Sequence, residues 1–241
     1  MDKHKKHILL LNSNDRTSGT PENCIFHLND NDLHECHHVQ LKDVFFTNLL
    51  YNIKTSNNTL IYAFGEASYT VVVPVGYYSL NDLITRLNAL QTHLVFTHNT
   101  TEKKLNVSSA SPSFIHKNGT INKVIGFETV ETATASTSYT GYQPYNLIPS
   151  HYIHIISNKL AEPDSLLNSN NKRHAVIASI PIAVPFGYTV VRTEERDSAD
   201  YCHHNSMVNL STIDIRLVDD NFDQVDLNGS GFIFSFTVKR V

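Results

Sequence analysis

Two patches of this 241-residue chain carry the side chains that proteins use to hold transition metals: His34-Glu35-Cys36-His37-His38, and Cys202-His203-His204. Imidazole and thiolate are the ligands of tetrahedral zinc, and the two patches together hold enough of them for a closed site. Neither has finger or ribbon spacing. In an eight-stranded jelly roll with strands B to I, the first patch falls in the loop after B and the second in the loop before H. Those loops lie at opposite ends of such a sandwich. The expectation is therefore two ordinary polar loops at a subunit contact, with no metal assigned. The 14 histidines also leave a pH-sensitive interface open.

Nucleophilic chemistry finds less support. Cys24 stands three residues before His27 in a β-type run, and that spacing puts the two on opposite faces of a strand. The chain has no G-x-S-x-G, H-E-x-x-H, G-x-x-x-x-G-K-[ST] or G-x-G-x-x-G. Asp214, Asp219, Asp220, Asp223 and Asp226 form an acidic cluster without the ordered spacing of a calcium loop, so it reads as a turn between strands. No catalytic residue and no cofactor is assigned, and the chain reads as a non-enzyme. The last candidate is the basic start, Lys3, Lys5 and Lys6 with His4 and His7. Three lysines give a weak, salt-sensitive attraction to a genome or an anionic internal membrane. A solvated terminus is the plainer reading, although weak contacts add up when many copies share one surface.

The elements around these residues are mostly short β runs between turn clusters. Cys24–Leu28, Val39–Ile53, Tyr152–Ile156, Ala175–Ile180, Tyr188–Val191, Leu210–Val218 and Phe232–Val238 read as strands, the last two with clear alternation of period two. Leu60–Phe64 and Tyr69–Val73 flank a Gly-containing loop and read as a hairpin, as do Leu94–Phe96 and Lys104–Val107. One segment departs from this pattern. Leu80, Leu83, Ile84, Leu87 and Leu90 recur on one helical face behind the N-cap Ser79, which predicts a helix over 80–90 that covers an edge or face of a sheet. Ile121–Phe127 reads as a short helix or turn, and Glu128–Tyr142 as a surface loop. The total is an all-β chain: an antiparallel eight-stranded single jelly roll over 1–78 and 145–241, with 79–144 as a helix-plus-hairpin insertion or a long connection.

Composition limits the partners. Lys+Arg number 19 and Asp+Glu 23, for a net charge of -4, and only 17% of residues are charged. That balance argues against a strongly basic nucleic-acid binder and against a disordered chain. No stretch approaches the roughly 20 apolar residues of a membrane-spanning helix. Ile8-Leu9-Leu10-Leu11 is too short for a signal-peptide core, and no small-residue cleavage site follows, so no secretion signal is read. An odd count of three cysteines points to reduced thiols inside a cell. Few charges among many uncharged polar residues suggest a surface that meets other protein.

The segment Leu10-Leu11-Asn12-Ser13-Asn14-Asp15-Arg16-Thr17-Ser18-Gly19-Thr20-Pro21-Glu22-Asn23-Cys24-Ile25-Phe26 resembles the opening of the penton, or minor capsid, proteins of virophages, Polinton/Maverick elements and polinton-like viruses. Thr47–Ile53, Gly76–Leu80 leading into Leu87-Asn88, Ile213–Leu217, Leu227-Asn228-Gly229 and Phe232–Phe236 are similar to later family segments, in the same order. The resemblance implies a single jelly roll that assembles as a homopentamer at icosahedral five-fold vertices, beside a double-jelly-roll major capsid protein, in the virion. It makes Asp15, Arg16, Gly19, Pro21 and Asn23 candidate subunit or capsid contacts. The alternative for Asp15 and Arg16 is a staple within their own domain. A rival class is a receptor- or carbohydrate-binding β-sandwich of a spike or fibre. Tyr77, Tyr78, Tyr142 and Tyr145 are available for it, but Trp is absent.

Overall fold

The computed structural model describes residues 5–28, 36–110, 114–127, 137–161, 166–167, 173–193, 201–208 and 210–240. Its strands, in chain order, begin with β1 (Lys5–Asn12), β2 (Ser18–Thr20), β3 (Asn23–His27), β4 (Cys36–Thr47), β5 (Thr59–Phe64) and β6 (Ala67–Val72). Helix α1 (Leu80–Leu90) follows, then β7 (Leu94–Asn99), β8 (Lys104–Ser109), β9 (Phe114–His116), helix α2 (Asn122–Ile125) and β10 (Ser138–Thr140). The chain closes with β11 (Tyr152–Ile156), β12 (Leu166–Leu167), β13 (Arg173–His174), β14 (Val176–Pro181), β15 (Thr189–Thr193), β16 (Tyr201–Val208), β17 (Thr212–Val218) and β18 (Phe232–Arg240). Two compact units result: Met1–Leu50 with Ser150–Val241, and Tyr51–Pro149.

The first unit is the jelly roll. One sheet runs β1-β18-β4-β15, with β16 continuing along β4 beyond β15, and the other runs β14-β11-β17-β3-β2. The described pairings in both sheets are antiparallel. Lettering β1, β3, β4, β11, β14, β15/β16, β17 and β18 as B to I gives the sheet orders B-I-D-G and C-H-E-F. The alternation in β18 puts Phe232, Phe234 and Phe236 in the core, where the first two rings stack with centroids 4.0 Å apart. Leu41, Val44 and Phe46 of β4 and Ile213, Ile215 and Leu217 of β17 are buried in the same core.

The second unit has its own core and is inserted in the chain between strands D and E. Ser79 caps α1: its Oγ accepts from the Asp82 backbone N–H at 3.2 Å and donates to the Asp82 carboxylate at 2.6 Å. Asn88, on the helix, exchanges two hydrogen bonds with the backbone of Phe96 and so fastens α1 to the edge of β7. Leu83 and Leu87 pack with Leu60, Tyr62, Phe96 and Leu105. This packing explains a difference from the expected boundaries. The β5–β6 hairpin, assigned from the sequence to the jelly roll, shares its core with α1, so the compact unit begins at Tyr51 and not at Ser79.

Three further elements differ from the sequence reading. The backbone of Lys5–Asn12 pairs along its length with β18, so the basic start belongs to the sheet from Lys5 onward; Lys3 and His4 lie outside the described residues. Cys202-His203-His204 sits inside strand β16 and is not a loop. Ser138–Thr140 pairs with β8, within the segment read as a surface loop, whose residues 128–136 lie outside the described set.

Candidate functional site

The Asp15–Asn23 segment forms the turn that carries the chain from strand B into strand C. Asn12 caps a single 3-10 turn by accepting from the Asn14 N–H at 3.0 Å. Arg16 then reaches back and forward within the same turn, donating from its guanidinium to the Ser13 carbonyl at 2.8 Å and the Gly19 carbonyl at 2.9 Å. Gly19 has φ +91, and a Cβ there would lie 2.1 Å from the Asn23 carbonyl oxygen, so only glycine fits this close strand pairing. Pro21 occupies the two-residue turn between β2 and β3, and its neighbour Glu22 is buried. Glu22 accepts from the Leu227 N–H at 2.9 Å, which ties this turn to the one before the last strand. Ser13, also buried, accepts from the Phe232 N–H at 2.9 Å. Asn23 donates to the Gln224 side chain at 3.4 Å, and Asp15 is exposed.

The chemistry weighed above is placed as follows. Cys24 is buried and His27 exposed, on opposite faces of β3. Burial pushes the Cys24 thiol up to about 11, against the opposing pull of the nearby Arg16 charge, so it is not an activated nucleophile. The acidic cluster serves backbone turns. Asp214 accepts from the N–H groups of Asn158 and Lys159, each at 3.0 Å. Asp219 accepts from those of Asn221 and Asp223, and Asp226 from that of Asn228. Burial works to raise the Asp220 pKa, but the backbone N–H groups of His151 and Tyr152, at 2.7 and 3.0 Å, hold it below the ordinary carboxylate value.

The two His/Cys patches require a correction. They were expected at opposite ends of the sandwich, yet β16 pairs with β4 so that His203 stands opposite His38 and Cys202 opposite Val39. The expected strand count began one strand late, because β1 is itself strand B. His34 and Glu35 lie outside the described residues, and among the described residues no three metal-binding side chains converge. Of the four tyrosines of the rival reading, Tyr77 and Tyr142 are exposed. Tyr78 donates to the Pro74 carbonyl at 3.0 Å, and Tyr145 packs edge-on to His98.

The outer face of the B-I-D-G sheet was not anticipated from the sequence. Val191, Phe45 and Ile233 occupy one register row across β15, β4 and β18, and all three are exposed. On the neighbouring edge strand β1, Ile8 is 77% and Leu10 63% exposed. The row of three is an exposed apolar patch across β15, β4 and β18, and Leu10 and Ile8 lie further along β1, opposite Ser235 and Thr237.

These features define a single jelly roll with a second compact unit inserted in the chain between strands D and E. A crystal structure of the mavirus penton protein is similar to this chain, with a TM-score of 0.54 and 12% identity, covering 100% of both chains. No family model and no curated protein matches the sequence. At that identity the likeness is one of fold, and it spans both units.

Proposed function

We propose that this protein is a structural penton subunit, five copies of which close a ring at an icosahedral vertex, in contact with a double-jelly-roll major capsid protein. The observation that carries the reading is the likeness in fold to the mavirus penton protein over the full length of both chains. The exposed apolar row of Val191, Phe45 and Ile233, with Ile8 and Leu10 exposed on the edge strand β1, supports a side surface for a heterologous ring contact. Asp15, exposed on a turn already stapled by Arg16, is assigned as a polar contact at the rim of that interface. The acidic residues that an enzyme reading would recruit are engaged with backbone N–H groups, which supports a structural role.

Mass photometry of the purified chain, alone and with the major capsid protein, tests this reading. The expected species is a pentamer, and Phe45→Asp with Ile233→Asp should reduce it to a folded monomer. A wild-type chain that stays monomeric at high concentration and fails to enter shells would overturn it.

A further inference from the structure

The outer face of the C-H-E-F sheet carries a column of aromatic rings that the proposed subunit contact does not use. Tyr152 and His154 stand two apart on β11 and so share a face, and their rings are nearly parallel with centroids 6.2 Å apart. Phe222, in the turn after β17, stacks on His154 at 5.0 Å and an interplanar angle of 5°. The same phenyl ring stacks on the imidazole of His174, on β13, at 3.8 Å and 14°. One phenyl therefore bridges two imidazoles from different strands. It is held there at a backbone cost, because Phe222 has φ +64, a left-handed conformation that bulky side chains rarely adopt. The turn imposes it: the Asp219 carbonyl accepts the Phe222 N–H at 2.9 Å, and the Asp219 carboxylate accepts those of Asn221 and Asp223. His154 is half-buried, with its Nδ1 2.7 Å from the Ser179 hydroxyl on β14.

We infer that this column is an acid-sensitive latch, which holds the turn between strands H and I against the β12–β13 ribbon of the E–F connection and releases it when the imidazoles become charged. Neutral imidazoles stack on a phenyl ring as other aromatic rings do. Charging His154 costs hydration at a half-buried site, and charging His174 as well sets two cations against one ring. Burial is the largest influence on His154 and draws its pKa below the ordinary 6.5; a charged His174 acts in the same direction, while Asp220 and Asp219 act against it. Among the described residues these are the charged groups that act on His154, from the turn and from β13, and β14 contributes the neutral Ser179. A histidine whose pKa is lower folded than unfolded lends its stability in full above about pH 6.5 and loses it as the pH falls through the folded value. The latch is thus closed at neutral pH and weakened in acid. Asp220 is not the trigger, because the backbone N–H groups of His151 and Tyr152 hold its pKa below the carboxylate norm and keep it ionised across this range. Its contact with the His151 ring, at 3.3 Å, strengthens as His151 charges and so opposes opening. The latch lies within a single chain, and the inference does not depend on the capsid reading.

The test is amide hydrogen exchange of the full chain at pH 7.5 and pH 5.0, each rate divided by the intrinsic rate at that pH. Protection of the 219–225 segment should fall about tenfold in acid, while the β4–β18 ladder stays within about twofold. The variant His154→Phe with His174→Phe keeps three stacked rings that cannot charge, so its 219–225 segment should be as protected at pH 5.0 as at pH 7.5. If that variant loses protection in the β4–β18 ladder and so fails to fold, His174→Phe alone should cut the acid response to about a third of its wild-type size. His151→Gln removes the opposing contact and should leave the acid response at least as large as in wild type. An NMR titration of the His154 ring should give a pKa below 6.5. A value above 6.5 would mean that a cation–π contact with Phe222 outweighs burial, and it would overturn the inference. So would a wild-type segment equally protected at both pH values, or a double variant that folds and opens in acid as wild type does.

Discussion

The two ends of β1 obey opposite rules. At its C-terminal end, the turn through Asp15 to Asn23 is bound into the fold: Ser13 and Glu22 accept buried backbone N–H groups of Phe232 and Leu227, and Arg16 bonds two carbonyls. At its N-terminal end the ladder sets cation against cation twice. Polar residues of the first kind are explained by stability, since removing Ser13 or Glu22 leaves a buried backbone N–H without its acceptor. Like charges set opposite one another in a ladder work against the strand pair. The two ends of one strand therefore differ in whether their paired polar residues favour or oppose the pairing.

The comparison is broken most severely at Gly19. If the turn is built for stability, Gly19→Val brings a Cβ to 2.1 Å from the Asn23 carbonyl at φ +91. The expected cost is about 3 kcal/mol or more, from backbone strain and overpacking together. Urea unfolding of the variant measures it, and an unchanged midpoint would show that the turn yields freely. Glu22→Ala comes next, at about 2 kcal/mol, because the Leu227 N–H is left buried without an acceptor. Glu22→Gln keeps an acceptor oxygen and should recover most of that loss. Equal destabilisation by both variants would mean that the carboxylate charge, and not the bond, matters.

The parts that sequence pattern revealed are those where local chemistry and tertiary position agree. Helix α1 has the predicted bounds because Ser79 caps it and its buried leucines repeat on one face. Strand β18 follows the alternation of its phenylalanines, while Ser18–Thr20, whose glycine and following proline read as a turn, is a short strand paired with β3, and the turn itself falls at Pro21 and Glu22. Strand β1 was hidden because Ile8 to Leu11 is apolar at every position, although Ile8 and Leu10 face outward. A strand that is apolar on both faces erases the alternation that would reveal it. Strand β16 was hidden for the opposite reason, since Cys202 to Met207 contains almost no β-forming apolar residue. Missing β1 displaced the strand count by one and separated two patches that the register brings together. Glu22 gave no signal, because nothing local marks a carboxylate whose partner lies 205 residues away.

The smallest expected effect sharpens the comparison most, because its sign is the reverse of the usual one. Most substitutions destabilise a protein. Lys6→Gln with Lys239→Gln removes one like-charged cross-strand pair from the β1–β18 ladder and should stabilise the isolated chain by about 0.5 kcal/mol at low salt. Because the repulsion is screened, the gain should shrink as salt is raised toward 1 M, where the Debye length is about 3 Å. Thermal unfolding of wild type and variant, side by side in 20 mM and 1 M salt, reads both the sign and its salt dependence. A variant that is less stable at both salts would mean that the lysine stems pack in the ladder and belong to the same class as Glu22. A stabilised variant whose advantage vanishes in salt would show that the two ends of one strand differ in kind, one holding the fold together and one opposing its own pairing.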